Sequence, residues 1–391
     1  MSISEPIRLG VAGLGRGFML TLPSLRADPH VVLRACAAPR AASRTAFAEE
    51  FDAATHATVE DLARDPDIEA VYIATPHQMH RAHAEILAAG GKHLLIDKPL
   101  AITLSDADAI VNAARAAGVH LITGPSHSFD QPVLQARELI ASGRFGAARM
   151  IHGFNYTDFL YRPRRPEELA TAEGGGVIFS QGAHQIDVIR LLMGARATHV
   201  AAMTGRWDPA RPTEGAYSAL IGFDGGQFAA VTYSGYAHYD SDVLQDGIGE
   251  LGIEKDPAGY GKARKALSKV TSPAEEASLK STRTYGAAPA PPLAPHAEHF
   301  GPVLVSCDRA DLRLTPKGVE IWGDFEKEFI PTPPDPSPRA PVLKALHEAI
   351  RFGNAPPQSD DWGRASLEIC HAILSSADSQ AFVPLTRQPP A

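Results

Sequence analysis

The apolar pattern of the chain begins with Ile7–Ala12, IRLGVA, a short run that breaks at a cluster of glycines. Similar apolar runs return at Val31–Ala37, at AVYIAT (70–75) and at HLLID (93–97). Runs of this length bounded by turn residues predict buried strands. Between them AASRTAFAEEF and RAHAEILAAG predict helices. Strands alternating with helices at this spacing predict the α/β class, a parallel sheet with right-handed crossovers. The end of the chain reads as two helices, Ala340 to Phe352 and Trp362 to Ser376, around a Gly/Pro turn. No internal repeat is visible.

A chain of 391 residues exceeds what one core usually supports, so two domains are expected. The net charge of -8 argues against a nucleic-acid or acidic-membrane partner. No apolar stretch reaches the length of a membrane span, and MSISEPIRLG runs directly into the first strand, so no signal peptide is expected. Cys36, Cys307 and Cys370 fit neither a disulfide framework nor a zinc spacing. They predict reduced thiols, a cytoplasmic protein and no metal. The prolines crowd into 287–302 and 331–341, which read as loops.

The glycine cluster is Gly13-Leu14-Gly15-Arg16-Gly17-Phe18. The dinucleotide fingerprint wants its third glycine where Phe18 stands. Gly13 and Gly15 still offer a tight turn and close approach to a pyrophosphate, and the following helix offers free N–H groups. The alternative is a plain strand-to-helix turn. The second strand ends Cys36-Ala37-Ala38-Pro39-Arg40, without the acid that holds the adenosine ribose. With no carboxylate to repel a 2′-phosphate, and with Arg40 or Arg44 able to pair with one, the cofactor reads as NAD(P) with a lean to NADP. A merely solvated arginine is the competing reading. In IDKPL (96–100), Lys98 stands at a strand end before a proline, which holds its backbone extended. Ligands bind at that edge of open α/β sheets. A partly desolvated lysine there has a lowered pKa and can shuttle a proton.

The glycine loop, ATPHQMH (74–80), IDKPL and GGGVIFSQGAHQID (174–187) together resemble the glucose-fructose oxidoreductase, inositol dehydrogenase and rhizopine-catabolism family, in order and over nearly the whole chain. The resemblance implies an N-terminal Rossmann domain (1–125) and an α/β domain with a large open, mostly antiparallel sheet (126–340). An insertion at about 240–300 interrupts the second domain, and the C-terminal helices (341–391) pack back on the body. It implies homo-oligomers, dimer or tetramer, formed through the open sheets. It makes Lys98 and His184 the catalytic pair. Along the cofactor it places Gly13, Gly15, Arg16, Gly17, Phe18, Ala38, Arg40, Thr75, Pro76, His77, His80, Asp97 and Lys98. Here Asp97 precedes Lys98 where the family usually has glutamate.

Helical spacing puts Ser180 and His184 on one face, with Asp187 on the following turn. Sugar- and inositol-oxidising members commonly carry an aspartate at the position of Ser180. A satisfied core histidine is the competing reading of His184, and Asp187 reads as a structural partner. NYTDFLYRPRRPEEL (155–169) gathers Arg162, Arg164 and Arg165 beside Tyr156, Phe159 and Tyr161. Guanidinium forks and flat rings suit a planar carboxylated substrate. The other reading is a surface loop paired with Glu167 and Glu168. SHSFDQP (126–132), the SQGAHQID motif and HFGPVLVSCDRADLRLTPKGVEIWGD (299–324) resemble one branch of the family, the dehydrogenases of phthalate cis-dihydrodiols. That branch implies oxidation of 4,5-dihydro-4,5-dihydroxyphthalate, with His127, Tyr156, Arg162, Arg164, Arg165, Ser180 and His184 around the small-molecule substrate. A sugar or polyol dehydrogenase and a non-catalytic dinucleotide-sensing regulator are the alternatives. In the insertion, DPAGYGKARKALSKV has a basic amphipathic helical pattern and STRTYGAAPAPPLAP reads as loop: a lid, an oligomer arm or exposed decoration.

Overall fold

The structure, a computed structural model, describes residues 5–333 and 337–389. The very start of the chain, read above for a signal peptide, part of the 331–341 proline stretch and the last two residues lie outside it. The described chain divides by compactness into two units. One holds the residues up to Ser126 with Leu279–Leu293 and Arg339–Leu367; the other holds His127–Ser278, Ala294–Pro338 and the residues from Glu368.

The first unit is a six-stranded parallel sheet of β1 (Ile7–Ala12), β2 (Val31–Ala37), β3 (Ala54–His56), β4 (Ala70–Ile73), β5 (His93–Ile96) and β6 (Leu121–Thr123), in the order β3-β2-β1-β4-β5-β6. Its strands are continuous apolar runs because helices cover both faces. Ile7, Leu9, Val11 and all of β4 are buried. The helices are α1 (Arg16–Ala27), α2 (Ala41–Phe51), α3 (Val59–Arg64), α4 (His80–Ala89) and α5 (Leu104–Ala117). Thr103 caps α5 by accepting from the Asp106 N–H, and Gly118 ends it in the left-handed region. The strand order reverses between β1 and β4, which makes their carboxyl ends the crevice where such sheets bind ligands.

The second unit is built on nine strands: β7 (Ala148–Tyr156), β8 (Ala197–Gly205), β9 (Ala216–Phe223), β10 (Phe228–Ser234), β11 (Val303–Cys307), β12 (Ala310–Thr315), β13 (Gly318–Gly323), β14 (Lys327–Pro331) and β15 (Val383–Pro384). They run in the order β14-β13-β12-β11-β7-β10-β9-β8-β15, all antiparallel except β7 with β10. Ile151, Ala219, Ile221, Val231 and Val305 are buried, and α6 (Gln131–Ala141) and α7 (Ala183–Met193) pack in this unit. The register lines up Met203 with Ser218, Leu220 with Ala230, and Leu304 with His152 on one face. That face is open, with Met203, Leu220 and Leu304 all exposed.

The three glycines before α7 form a tight joint. A Cβ on Gly175 would meet the backbone of Glu167 and Glu168 at 2.6 Å. Gly176 has φ +83° and lies against the Glu214 carboxylate and the Thr213 hydroxyl. Burial raises the pKa of Glu214, whose carboxylate takes hydrogen bonds from the hydroxyls of Thr171 and Thr213. Gly176→Ala therefore combines a disfavoured φ with a clash against a buried acid. We expect it to cost about 3 kcal/mol, read as a lowered unfolding midpoint in urea.

Two expectations change. In the insertion the helices are Lys262–Leu267 and Pro273–Ser281, so the basic pattern forms less than two turns, with no buried residue. The loop STRTYGAAPAPPLAP lies mostly within the segment grouped with the first unit, where Thr284 and Tyr285 are buried. Buried side chains rule out plain exposed decoration for this stretch.

Candidate functional site

In the first unit the glycine loop lies against the end of β4. Gly13 has φ +93°, and a Cβ there would meet the Ala74 carbonyl oxygen and the Thr75 methyl at 2.9 Å. Gly15 is the N-cap of α1 with no side-chain cap, and a Cβ there would meet nothing nearer than 3.9 Å. The result is a cradle over uncapped helix N–H groups, which fits a pyrophosphate. Gly17 stands one position ahead of the fingerprint's third glycine. A Cβ there would press on Asp97 Oδ2 at 2.5 Å, so this glycine admits the carboxylate that precedes Lys98. Arg16 is exposed.

Phe18 corrects one expectation. Its side chain is fully buried, 5.3 Å from the Tyr285 ring and 6.1 Å from Phe47, so it fills the core and does not line the cofactor. The first turn of α1 points that side chain inward. At the end of β2, Ala38 is buried and Arg40 is exposed. Arg44 Nη1 donates to the carbonyls of Ala38 and Pro39 at 2.6 and 3.0 Å, bracing the loop.

His80 is a brace as well. Its Nε2 lies 3.0 Å from the Thr75 carbonyl, and its Nδ1 lies 3.1 and 3.2 Å from the carbonyls of Pro99 and Leu100. Burial lowers its pKa, partly offset by Asp97 and those carbonyls, so the ring is neutral near pH 7. It links the loop after β4 to the loop carrying Lys98. Thr75 Oγ1 lies 3.1 Å from His83 Nδ1, Pro76 is exposed, and burial holds the His77 pKa well below its ordinary value. Asp97 accepts from the Lys98 N–H at 2.8 Å and from the Tyr72 hydroxyl at 3.2 Å. Lys98 is half-buried beside it.

In the second unit, Ile178–Gly182 is a π-helical turn that runs into α7. Its wider turn puts Ser180 and His184 out of the α-helical phase that the four-residue spacing predicts. The Ser180 hydroxyl donates back to the Gly176 carbonyl. The His184 ring is packed against His127, 4.6 Å away and edge-on, and Phe300, 5.2 Å away. Asp187 is buried and raises the pKa of Arg190, against the burial that pushes that guanidinium down to about 10.

His127 is the charged centre of this cluster. Nδ1 lies 2.6 Å from Asp130 Oδ2, and Nε2 lies 3.5 Å from Glu250 Oε1. Burial alone would lower the imidazole pKa; the two carboxylates outweigh it and push it up to about 10. In return His127, Arg162 and His299 overcome burial at Glu250 and pull it down to about 2. His127, Asp130 and Glu298 offer ligand-type atoms within 4.8 Å of one another. Both ring nitrogens face carboxylates, so the cluster reads as an imidazolium held by acids.

The arginine cluster is not one patch. Arg164 stacks over Phe159 with its Cζ 3.5 Å from the ring centroid, donates to the Phe159 carbonyl at 2.8 Å and lies 3.6 Å from Glu168. It is structural, and its expected substrate contact is not supported. Arg165 sits 3.6 Å from Glu167. Arg162 donates to Asp158 at 3.1 Å and also lines a cavity of about 570 Å³ with Tyr239, Tyr260, Lys255 and Lys262. Lys255 is held there by Asp240 and Asp242. Tyr156 is half-buried and its N–H donates to Ser241 Oγ at 3.0 Å.

Sequence reasoning missed Asp130, Glu250 and Phe300 at this centre. The His127/Asp130 pair at i, i+3 was readable in SHSFD. Nothing local signals Glu250, which comes from the insertion.

Residues 7–124 match the family profile described as "Oxidoreductase family, NAD-binding Rossmann fold", and residues 133–250 match "GFO/IDH/MocA C-terminal domain". The chain is 45% identical over 375 residues, 94% of each chain, to 1-carboxy-3-chloro-3,4-dihydroxycyclohexa-1,5-diene dehydrogenase of Comamonas testosteroni. It is 26% identical over 232 residues to trans-1,2-dihydrobenzene-1,2-diol dehydrogenase of Mus musculus, covering 58% of this chain and 68% of that one. Among solved structures, a protein assigned as a dehydrogenase from Bordetella bronchiseptica RB50 superposes with a TM-score of 0.92 at 39% identity, over 97% of this chain and 100% of that one. Levoglucosan dehydrogenase in complex with NADH and levoglucosan shares the fold, with a TM-score of 0.72 at 18% identity over 97% and 99%.

Proposed function

The chain belongs to the GFO/IDH/MocA oxidoreductases, and within that family we propose that it oxidises a carboxylated cyclic cis-dihydrodiol to an aromatic diol. The finer reading is 4,5-dihydro-4,5-dihydroxyphthalate going to 4,5-dihydroxyphthalate, with NADP preferred over NAD. The similarity along 94% of both chains to a dehydrogenase named for a carboxylated dihydroxycyclohexadiene carries this reading. Arg162, which lines a cavity of about 570 Å³, supports the carboxylate. The exposed Arg40 at the end of β2, where no acid stands, supports a 2′-phosphate.

The bound nicotinamide supplies the hydride acceptor for the carbinol carbon. Lys98 takes the hydroxyl proton at Nζ, and His184 assists that transfer. The Asp97 contact to the Lys98 N–H and the His80 bridge to the Pro99 carbonyl fix the backbone from which that ammonium stem projects. The oxidised ring is a hydroxyenone, which tautomerises to the aromatic diol and so draws the reaction forward. Arg162 orients the carboxylate. A sugar or polyol substrate would call for an acid near His184, and Ser180 offers instead a hydroxyl that donates to Gly176.

The test is nicotinamide reduction with the cis-4,5-dihydrodiol of phthalate, run with NAD and NADP in parallel and against the same ring without carboxylates. Turnover of the acid with a much lower KM than the neutral diol is expected, and Arg162→Met should remove most of that difference. No reduction with either cofactor overturns the substrate reading.

A further inference from the structure

The segment Leu279–Leu293 comes from the insertion, far along the chain from the glycine loop, yet it belongs to the first unit. Tyr285 anchors it. Its N–H donates to the Leu14 carbonyl at 3.2 Å, within the glycine loop, and its carbonyl accepts from Ser43 Oγ at 3.1 Å, at the start of α2. Its hydroxyl donates to Glu50 at 2.6 Å, and its ring closes over Phe18. Gly286, with φ +79°, continues beside Ser43. At the other end Lys280 lies near enough to His77, just after β4, for its charge to act on that imidazole.

Leu14 follows β1, Ser43 follows β2, and His77 follows β4; these three strands are neighbours in the order β2-β1-β4. The segment therefore runs along the carboxyl edge of the sheet, the direction in which a dinucleotide lies across such a sheet. We propose that Leu279–Leu293 is a built-in wall of the dinucleotide site, with Lys280 as the cation that meets the cofactor's pyrophosphate. The glycine loop contributes N–H dipoles to that anion, and a lysine contributes the full charge that the loop lacks. Tyr285 holds the wall by the Leu14 carbonyl, so the loop and its wall are set in one piece. The inference rests on the dinucleotide chemistry of the family and is independent of which diol is oxidised.

Direct titration of the full-length protein with NAD and with NADP, without substrate, tests it. Lys280→Met is expected to weaken both by about ten-fold with an unchanged unfolding midpoint. Tyr285→Ala is expected to weaken both as well. Should Tyr285→Ala fail to fold, Lys280→Met decides alone. Affinities within two-fold of the parent make the segment a surface ornament and overturn the proposal. Tighter binding by Tyr285→Ala also overturns it, because the segment would then block the site. Since no substrate is present, failure of the diol reading leaves this result intact.

Discussion

Lys98→Met is expected to lower turnover by about 10²- to 10⁴-fold, the usual contribution of a positioned proton acceptor. Affinity for NAD and NADP should stay within a few-fold. The two readouts separate because methionine keeps the stem of the side chain while losing the amine. The backbone of the residue is fixed from elsewhere: Asp97 accepts its N–H, and His80 lies against the carbonyls that follow. Initial rates and a cofactor titration on one preparation check both halves. Near-normal turnover would remove Lys98 from the chemistry, and a lost cofactor would make it a binding residue.

His127→Gln should carry the largest effect on stability, about 3–5 kcal/mol, because it strands Asp130 and Glu250 without the cation they share. The pH dependence follows from the two shifts. The His127 pKa is raised from 6.5 to about 10, so its stabilisation is complete below 6.5 and is lost as pH rises through about 10. The Glu250 pKa is lowered from 4.5 to about 2, so its stabilisation is complete above 4.5 and is lost as pH falls through about 2. The pair therefore supports the parent most fully between those two ordinary values, in mild acid. Urea unfolding across a pH series should show the parent weakening steadily toward alkali and His127→Gln weakening much less. Parallel curves for the two proteins would show that the ring carries no charge in the fold.

The parallel sheet was legible because strands covered on both faces are unbroken apolar runs. The nine-stranded sheet was legible only through the family resemblance. With one face open, β9 alternates buried Ala219 and Ile221 with exposed Ser218 and Leu220, a weak signal over so few residues. The glycines before α7 announced a tight joint. The π turn after them did not, since a spacing argument assumes the α-helical period throughout. The arginine cluster shows a different limit. Charge density along the chain cannot tell which guanidinium finds a partner. Arg164 is settled by Phe159 and Glu168, which are local, and by Glu276, which accepts its N–H from 112 residues away. Tyr285 was hidden for the same reason, in a proline-rich stretch whose packing partners are Leu14, Phe18 and Ser43.

The first unit is drawn from three separate stretches of chain, and the last of them ends at Leu367. A fragment stopping at Ser126 would hold all six strands of its sheet and still leave Phe18 and Phe47 without the Tyr285 ring that covers them. During synthesis the sheet emerges first, but its cover arrives only after some 150 further residues, and the helix Ala340–Phe352 later still. Loop closure of that length is slow relative to helix formation. The nascent sheet thus waits, incomplete, for nearly the entire polypeptide, so a gene cut at the apparent domain boundary should yield an aggregating product in place of an autonomous nucleotide-binding module.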